Sequence, residues 1–146
     1  MANPGPATSV SAHPSNVTTN QTLRLLGVLK AVNVNAASGS FFSLPIINST
    51  TYQPTLLIVT NSNNAGAATG TLTSLVLGVT TTNSGTPTSL FGAITASQLA
   101  TVLGVSQVAA SAVVTAYSQQ NLYVNIAATT AVTGTVDVYV YGYDFS

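Results

Sequence analysis

Between residues 122 and 145 the chain is written with a period of two. Leu122, Val124 and Ile126 alternate with Tyr123, Asn125 and Ala127. After a Thr/Ala/Gly turn, Val136, Val138, Val140 and Gly142 alternate with Asp137, Tyr139, Tyr141, Tyr143 and Phe145. Successive side chains of a strand point to opposite faces, so each segment reads as a strand with one apolar face. A helix has no use for this spacing, because its apolar stripe recurs every three to four residues. Such a face must be buried against another layer of structure, and the rest of the chain has to supply that layer.

It does so with further short strands. Residues 22–35 carry Leu23, Leu25, Leu26, Val28 and Leu29 and read as one or two strands. Residues 36–39 are a turn. Residues 40–47 form an apolar run broken by Pro45, which cannot donate to a central ladder, so this is an edge strand or a bulge. Residues 55–60 follow Pro54, and Leu56, Leu57, Ile58 and Val59 leave that strand no polar face. A strand of that kind is expected to be covered on both sides. After a Gly/Asn/Ala loop over 61–70, residues 71–80 read as its partner in a long-tipped hairpin. Leu75, Leu77 and Val79 lie on one face, and Leu72, Ser74 and Val76 on the other.

A loop over 81–88 turns at Asn83-Ser84-Gly85. The one helix signature follows: Thr95 as N-cap with Gln98 three residues on, a capping-box pattern, then Leu99, Val102 and Leu103 on one stripe and Gly104 at the C′ position. A helix of about two turns is expected there. Residues 105–117 fit a helical stripe in part, and their second half is favoured as a strand. Seven or eight strands with one short helix make an all-β chain, an antiparallel β-sandwich or barrel. No internal repeat suggests a solenoid or propeller.

The division along the chain is an extended N-terminal arm over 1–21 and a β-sandwich domain over 22–146. The arm is polar and carries Pro4, Pro6 and Pro14, which favour extended backbone. It has no basic start or apolar signal core, so synthesis and retention in a cytoplasm are expected. No apolar run approaches the ~20 residues of a membrane-spanning helix.

Charge is nearly absent. Of 146 residues, Arg24, Lys30, Asp137 and Asp144 are the only charged ones, and Thr and Ser together supply 39. Two cations do not make the basic surface that nucleic-acid binding needs. One His and no Cys do not make a structural zinc site. A neutral surface has little repulsion to keep copies apart, and interface cores are depleted in charge. The composition therefore suits a subunit of an assembly.

Catalysis has little to work with, and no enzymatic activity, cofactor or metal is expected. His13 sits in the arm beside Pro14 and reads as a solvated residue, with no nucleophile-elbow pattern in the chain. Asp137 and Asp144 are seven positions apart on one strand, hence on opposite faces and roughly 23 Å apart, too far for a glycosidase pair. Asp137 is expected to pair with Arg24 or Lys30, or to sit in water. Tyr139, Tyr141 and Tyr143 share one strand face. They suit a subunit interface, where Tyr buries area while its hydroxyl stays bonded, or alternatively a sugar-stacking platform.

The stretch Leu122-Tyr123-Val124-Asn125-Ile126, its turn, and the run from Gly134-Thr135-Val136-Asp137 through Tyr141-Gly142-Tyr143-Asp144 resemble the capsid decoration, or cement, proteins of tailed bacteriophages. The segment Pro54-Thr55-Leu56-Leu57-Ile58-Val59-Thr60-Asn61 is in keeping with them. The resemblance covers about a third of the chain and includes no catalytic signature. It implies a sandwich of jelly-roll type, a homotrimer, a place on the capsid exterior of the virion, and the major capsid protein as partner, with no role for nucleic acid or membrane. Decoration proteins often hold the capsid with an N-terminal arm, which matches residues 1–21 in position and character. The residues expected at a capsid or subunit interface are Pro4, Pro6, His13 and Pro14 of the arm, Leu57 and Val59, and Tyr139, Tyr141 and Tyr143. The alternative function is a carbohydrate- or receptor-binding module of a viral fibre or spike.

Overall fold

A computed structural model of the chain describes residues 23–34, 39–61, 75–85, 88–99, 103–107, 116–128 and 134–146. The elements in chain order are β1 (Arg24–Asn33), β2 (Ser40–Pro45), β3 (Tyr52–Asn61), β4 (Leu75–Thr80), β5 (Ile94–Thr95), α1 (Ala96–Leu99), β6 (Leu103–Gln107), β7 (Asn121–Ala128) and β8 (Thr135–Asp144). They form two four-stranded sheets, sheet A in the order β1-β8-β3-β6 and sheet B in the order β2-β7-β4-β5. Every ladder pair is antiparallel. Apart from the β4–β5 step, consecutive strands switch sheets. That connectivity is the jelly roll, a double-sheet sandwich of two Greek keys.

The core lies between the sheets. Sheet A contributes Leu26, Val32, Leu57, Val59, Val136, Val138 and Val140, and sheet B contributes Leu44, Leu77, Val79, Leu122, Val124 and Ile126. Tyr52, Phe91, Ile94 and Leu99 fill the remaining space. Full burial of each such side chain contributes about 1.5–3 kcal/mol. β8 is flanked by β1 and β3, and its burial alternates residue by residue as the period-two pattern requires. Gly142 takes the inward position after Val140 because a Cβ there would collide with the Gln53 carbonyl oxygen of β3.

Prolines sit where the ladder spares them. β2 is the edge of sheet B and ends at Pro45. Pro54 lies inside β3, which has β8 on one side and β6 on the other, but β6 pairs only with Leu56 to Thr60. The side of β3 away from β8 is therefore not in a ladder at Pro54, and a register shift follows between Pro54 and Leu56. β1 is one strand with two register shifts, after Leu25 and after Leu29. Ala31, in the second, has a left-handed φ of 52°, which costs a residue with a Cβ roughly 1–2 kcal/mol. Its N–H donates to Asp137 Oδ1 at 2.8 Å, and a hydrogen bond to a carboxylate offsets that cost.

Two expectations are corrected. β3 and β4 do not form a hairpin: β3 belongs to sheet A and β4 to sheet B. β3 pairs with β6 and β8, and β4 with β5 and β7. The described helix is Ala96–Leu99, residues 100–102 lie outside the described residues, and the expected helical stripe does not extend to Leu103. Its cap is as expected, with the Thr95 N–H donating to Gln98 Oε1 at 2.8 Å. Leu103 and Gly104, however, belong to β6 opposite Thr60 and Val59. Gly104 is there for close packing, since a Cβ would lie 2.8 Å from Ile94 Cγ2. The stretch over 105–117, open between helix and strand in the sequence, begins as a strand, with Val105 in β6. Tyr117 makes an isolated bridge to Tyr52. Residues 71–74, 102 and 108–115 are outside the described residues.

Candidate functional site

The outward side of sheet A follows from the cross-strand register. One row across the strands is Leu25, Tyr141, Leu56 and Gln107, and the next is Val28, Tyr139, Ile58 and Val105. Tyr143 continues the tyrosine line opposite Gln53. Leu25 is 36% and Val105 46% exposed, while Val28, Leu56, Ile58 and the three tyrosines are half-buried. A shallow depression of about 300 Å³ opens beside Leu56, lined by Leu23, Thr55, Leu56 and Gln107.

The two carboxylates stand at opposite ends of β8, and each has a cation. Lys30 Nζ lies 3.0 Å from Asp137 Oδ2, donates to the Tyr139 hydroxyl, and sits 4.4 Å from that ring's centroid. Arg24 Nη1 lies 2.6 Å from Asp144 Oδ2. Asp144 points inward and is buried. Its Oδ1 accepts from Ser49 Oγ at 2.7 Å, Ser146 Oγ at 2.6 Å and Ser146 N at 3.0 Å.

These partners set the ionisation. The Ser146 and Ser49 hydroxyls, with the Ser146 N–H and Arg24, hold the Asp144 carboxyl down at about 2 against the opposing effect of burial. Burial pushes the Asp137 carboxyl up, but the Ala31 N–H and the Lys30 ammonium outweigh it and leave it lowered. Hydrogen bonds to Tyr139 and Asp137 raise Lys30. Away from the face, burial pushes the Tyr52 phenol up to about 12, with Tyr117 adding to the shift. Its hydroxyl donates to the Gln119 carbonyl at 2.8 Å.

The structure separates the expected interface residues. Tyr139, Tyr141 and Tyr143 lie together on the outer face. Leu57 and Val59 do not join them: both are fully buried in the chain's own core, so neither is available to a partner surface. The outward positions of β3 are Leu56 and Ile58. In an unbroken apolar run, composition does not reveal which alternate set faces inward. The expectation that β3 is covered on both sides is likewise met only on the inner side within the subunit. Pro4, Pro6, His13 and Pro14 are outside the described residues.

Sequence reasoning also missed Leu25, Val28 and Val105, although the odd–even spacing of Leu23 and Leu25 was a signal. Asp137 pairs with Lys30, one of the two cations named for it. Among the described residues no three His, Cys, Asp or Glu side chains are grouped to hold a metal ion, and no helix is long and apolar enough to cross a membrane. No family model matches the chain, and neither a curated protein nor a solved structure matches it.

Proposed function

We propose that this chain is a structural virion protein that binds the outside of a tailed-phage capsid and cements neighbouring major capsid protein subunits. One observation carries the reading. The chain has four charged side chains, all four are held in ion pairs within the subunit, and one broad sheet face is apolar and tyrosine-rich. Such a surface suits contact with protein better than contact with water. The jelly roll recurs in viral structural proteins and in lectins, so the fold supports the reading by analogy only.

Cementing requires no bond chemistry. A protein that bridges two subunits only in the expanded shell stabilises that state by mass action, by about 2.7 kcal/mol at a hundredfold excess over Kd. The arm over 1–21 is the proposed hold on the capsid. The protein would be made in the host cytoplasm and reside on the virion exterior. No catalytic step is assigned to it, since both carboxylates are engaged with cations.

The test adds the purified chain to heads of the encoding phage assembled without it. Saturable binding and a higher temperature of head disruption are expected; heads that ignore the protein would contradict the proposal. A second reading, glycan or receptor binding, rests on the three tyrosines on a broad sheet face. A glycan array positive for the native chain, and negative for a Tyr139→Ala, Tyr141→Ala variant that still occupies heads, would favour it.

A further inference from the structure

One cation stands over the apolar face of sheet A, and it limits what can cover that face. The Lys30 side chain is 58% exposed, and its ammonium sits over the Tyr139 ring, 4.4 Å from the centroid. Tyr139 shares its row with Val28, Ile58 and Val105. The backbone of β1 fixes this placement. β1 shifts register between Leu29 and Val32, and Ala31 takes its left-handed φ of 52° there. The Asp137 carboxylate holds the shifted segment with both oxygens: Oδ1 accepts the Ala31 N–H at 2.8 Å, and Oδ2 accepts from Lys30 at 3.0 Å. A lysine ordinarily extends its ammonium into water, whereas here a carboxylate and a phenol hold it against the sheet.

An ammonium has three N–H donors and no acceptor. Asp137 Oδ2 and the Tyr139 hydroxyl take two of them, and among the described residues no third acceptor reaches Lys30. Water serves the third donor while the face is open. A partner that covers the face removes that water, and a charged donor left unpaired under a cover is costly. A wholly apolar cover leaves it so. A cationic cover is repelled by the ammonium. A carboxylate overcorrects, because Lys30 and Asp137 already sum to zero and a further negative charge would be buried without compensation. A neutral oxygen acceptor satisfies the donor and adds no charge, and a carbonyl oxygen is such an acceptor.

We infer that Lys30 is the polar anchor of this face, and that the capsid surface seated on it is apolar, uncharged and presents a carbonyl oxygen to the Lys30 ammonium. This deepens the proposed function and rests on it. The tyrosines and aliphatic side chains contribute contact area, and that area is tolerant of register. The single donor is not. A partner surface shifted so that no acceptor meets Lys30 leaves the charge unsatisfied, which is discrimination by penalty. Lys30 is therefore the residue that sets which surface, and which placement of it, the face accepts. Because the Lys30–Asp137 pair is neutral as a unit and its new acceptor is uncharged, the contact depends little on salt.

The affinity of the purified full chain for heads assembled without it, at about 0.15 M salt, tests the assignment. Lys30→Met combined with Asp137→Asn removes both charges, keeps the length of the side chain and leaves an oxygen for the Ala31 N–H. A face recognised by shape and apolar area alone would bind heads as tightly or more tightly after that change. The inference expects binding at least about tenfold weaker, with cooperative unfolding retained, and expects Lys30→Arg to stay within about threefold of the native chain. If the double variant loses its unfolding transition, acetylation of Lys30, the chain's one lysine, in the folded protein replaces it, and the same loss is expected. A double variant that binds as tightly as the native chain, or an arginine variant as weak as the double variant, overturns the inference and leaves the capsid reading in place. A native affinity that collapses as salt is raised assigns a carboxylate to the partner and overturns it too. A native chain that ignores heads overturns the capsid reading, and this inference with it.

Discussion

Asp144 is the carboxylate that folding takes out of water, and its neighbours explain how it remains charged. Ser49, Ser146 and Arg24 share its two oxygens and hold it at about 2, against about 3.9 for an ordinary aspartate. The difference corresponds to at most roughly 2–3 kcal/mol, less where solvent screens the site. Because the folded pKa is depressed, this contribution is fully present above about pH 4 and is lost as pH falls through about 2. Thermal stability should therefore be level down to about pH 4 and decline below it. Ser49→Ala removes one donor, so it should raise the carboxyl's midpoint, move the decline to higher pH and cost about 1 kcal/mol at neutral pH. A carboxyl-carbon NMR titration reads that midpoint, and one left unmoved by the substitution would contradict the assignment. The sequence showed that Asp137 and Asp144 face opposite ways. That Asp144 is buried was not legible, because Ser49 and Arg24 lie 95 and 120 positions away along the chain.

At the scale of elements, β7 and β8 were readable because alternation and burial coincide in them. β8 also carries the sharpest substitutions. Val138 faces the core between Leu29 of β1 and Val59 of β3. Val138→Asp would bury a carboxyl group with no partner, which should cost several kcal/mol even if it is neutralised, a large share of a domain's ~5–15 kcal/mol. Chemical denaturation measures the loss, and a loss under about 1 kcal/mol would show that the core tolerates the group. Tyr139→Ala and Tyr141→Ala are on the other face and should leave cooperative unfolding in place while reducing association. Where alternation fails, the sequence was less informative. The run Leu56 to Val59 gave a strand but not its facing, and Gly104 imitated a helix stop while serving the close approach of Ile94. The capping box was legible because Thr95 and Gln98 are three residues apart. The strand that follows depends on pairing with β3, across tens of residues.

For the whole molecule, sandwich architecture followed from strand number and patterning, and the jelly-roll type from resemblance. Strand order did not follow from either, because nearly every pairing is between strands far apart in sequence and no local signal encodes it. The outer face of sheet A emerges only from that order, which brings residues of β1, β3, β6 and β8 side by side. The sequence of residues 1–21 carries no apolar stripe, so deleting residues 1–20 should leave the unfolding temperature within a few degrees and weaken attachment to heads. An unfolded deletion variant would show the arm to be part of the fold. A chain with no net charge and no unpaired charged side chain has little electrostatic attraction to offer a shell. The most direct measurement is therefore binding of the purified chain to heads of its phage as salt is raised from about 50 to about 500 mM, a range over which screening shortens charge interactions severalfold. The account predicts saturable binding whose affinity changes less than about threefold. Heads left bare, or an affinity that collapses with salt, would contradict it.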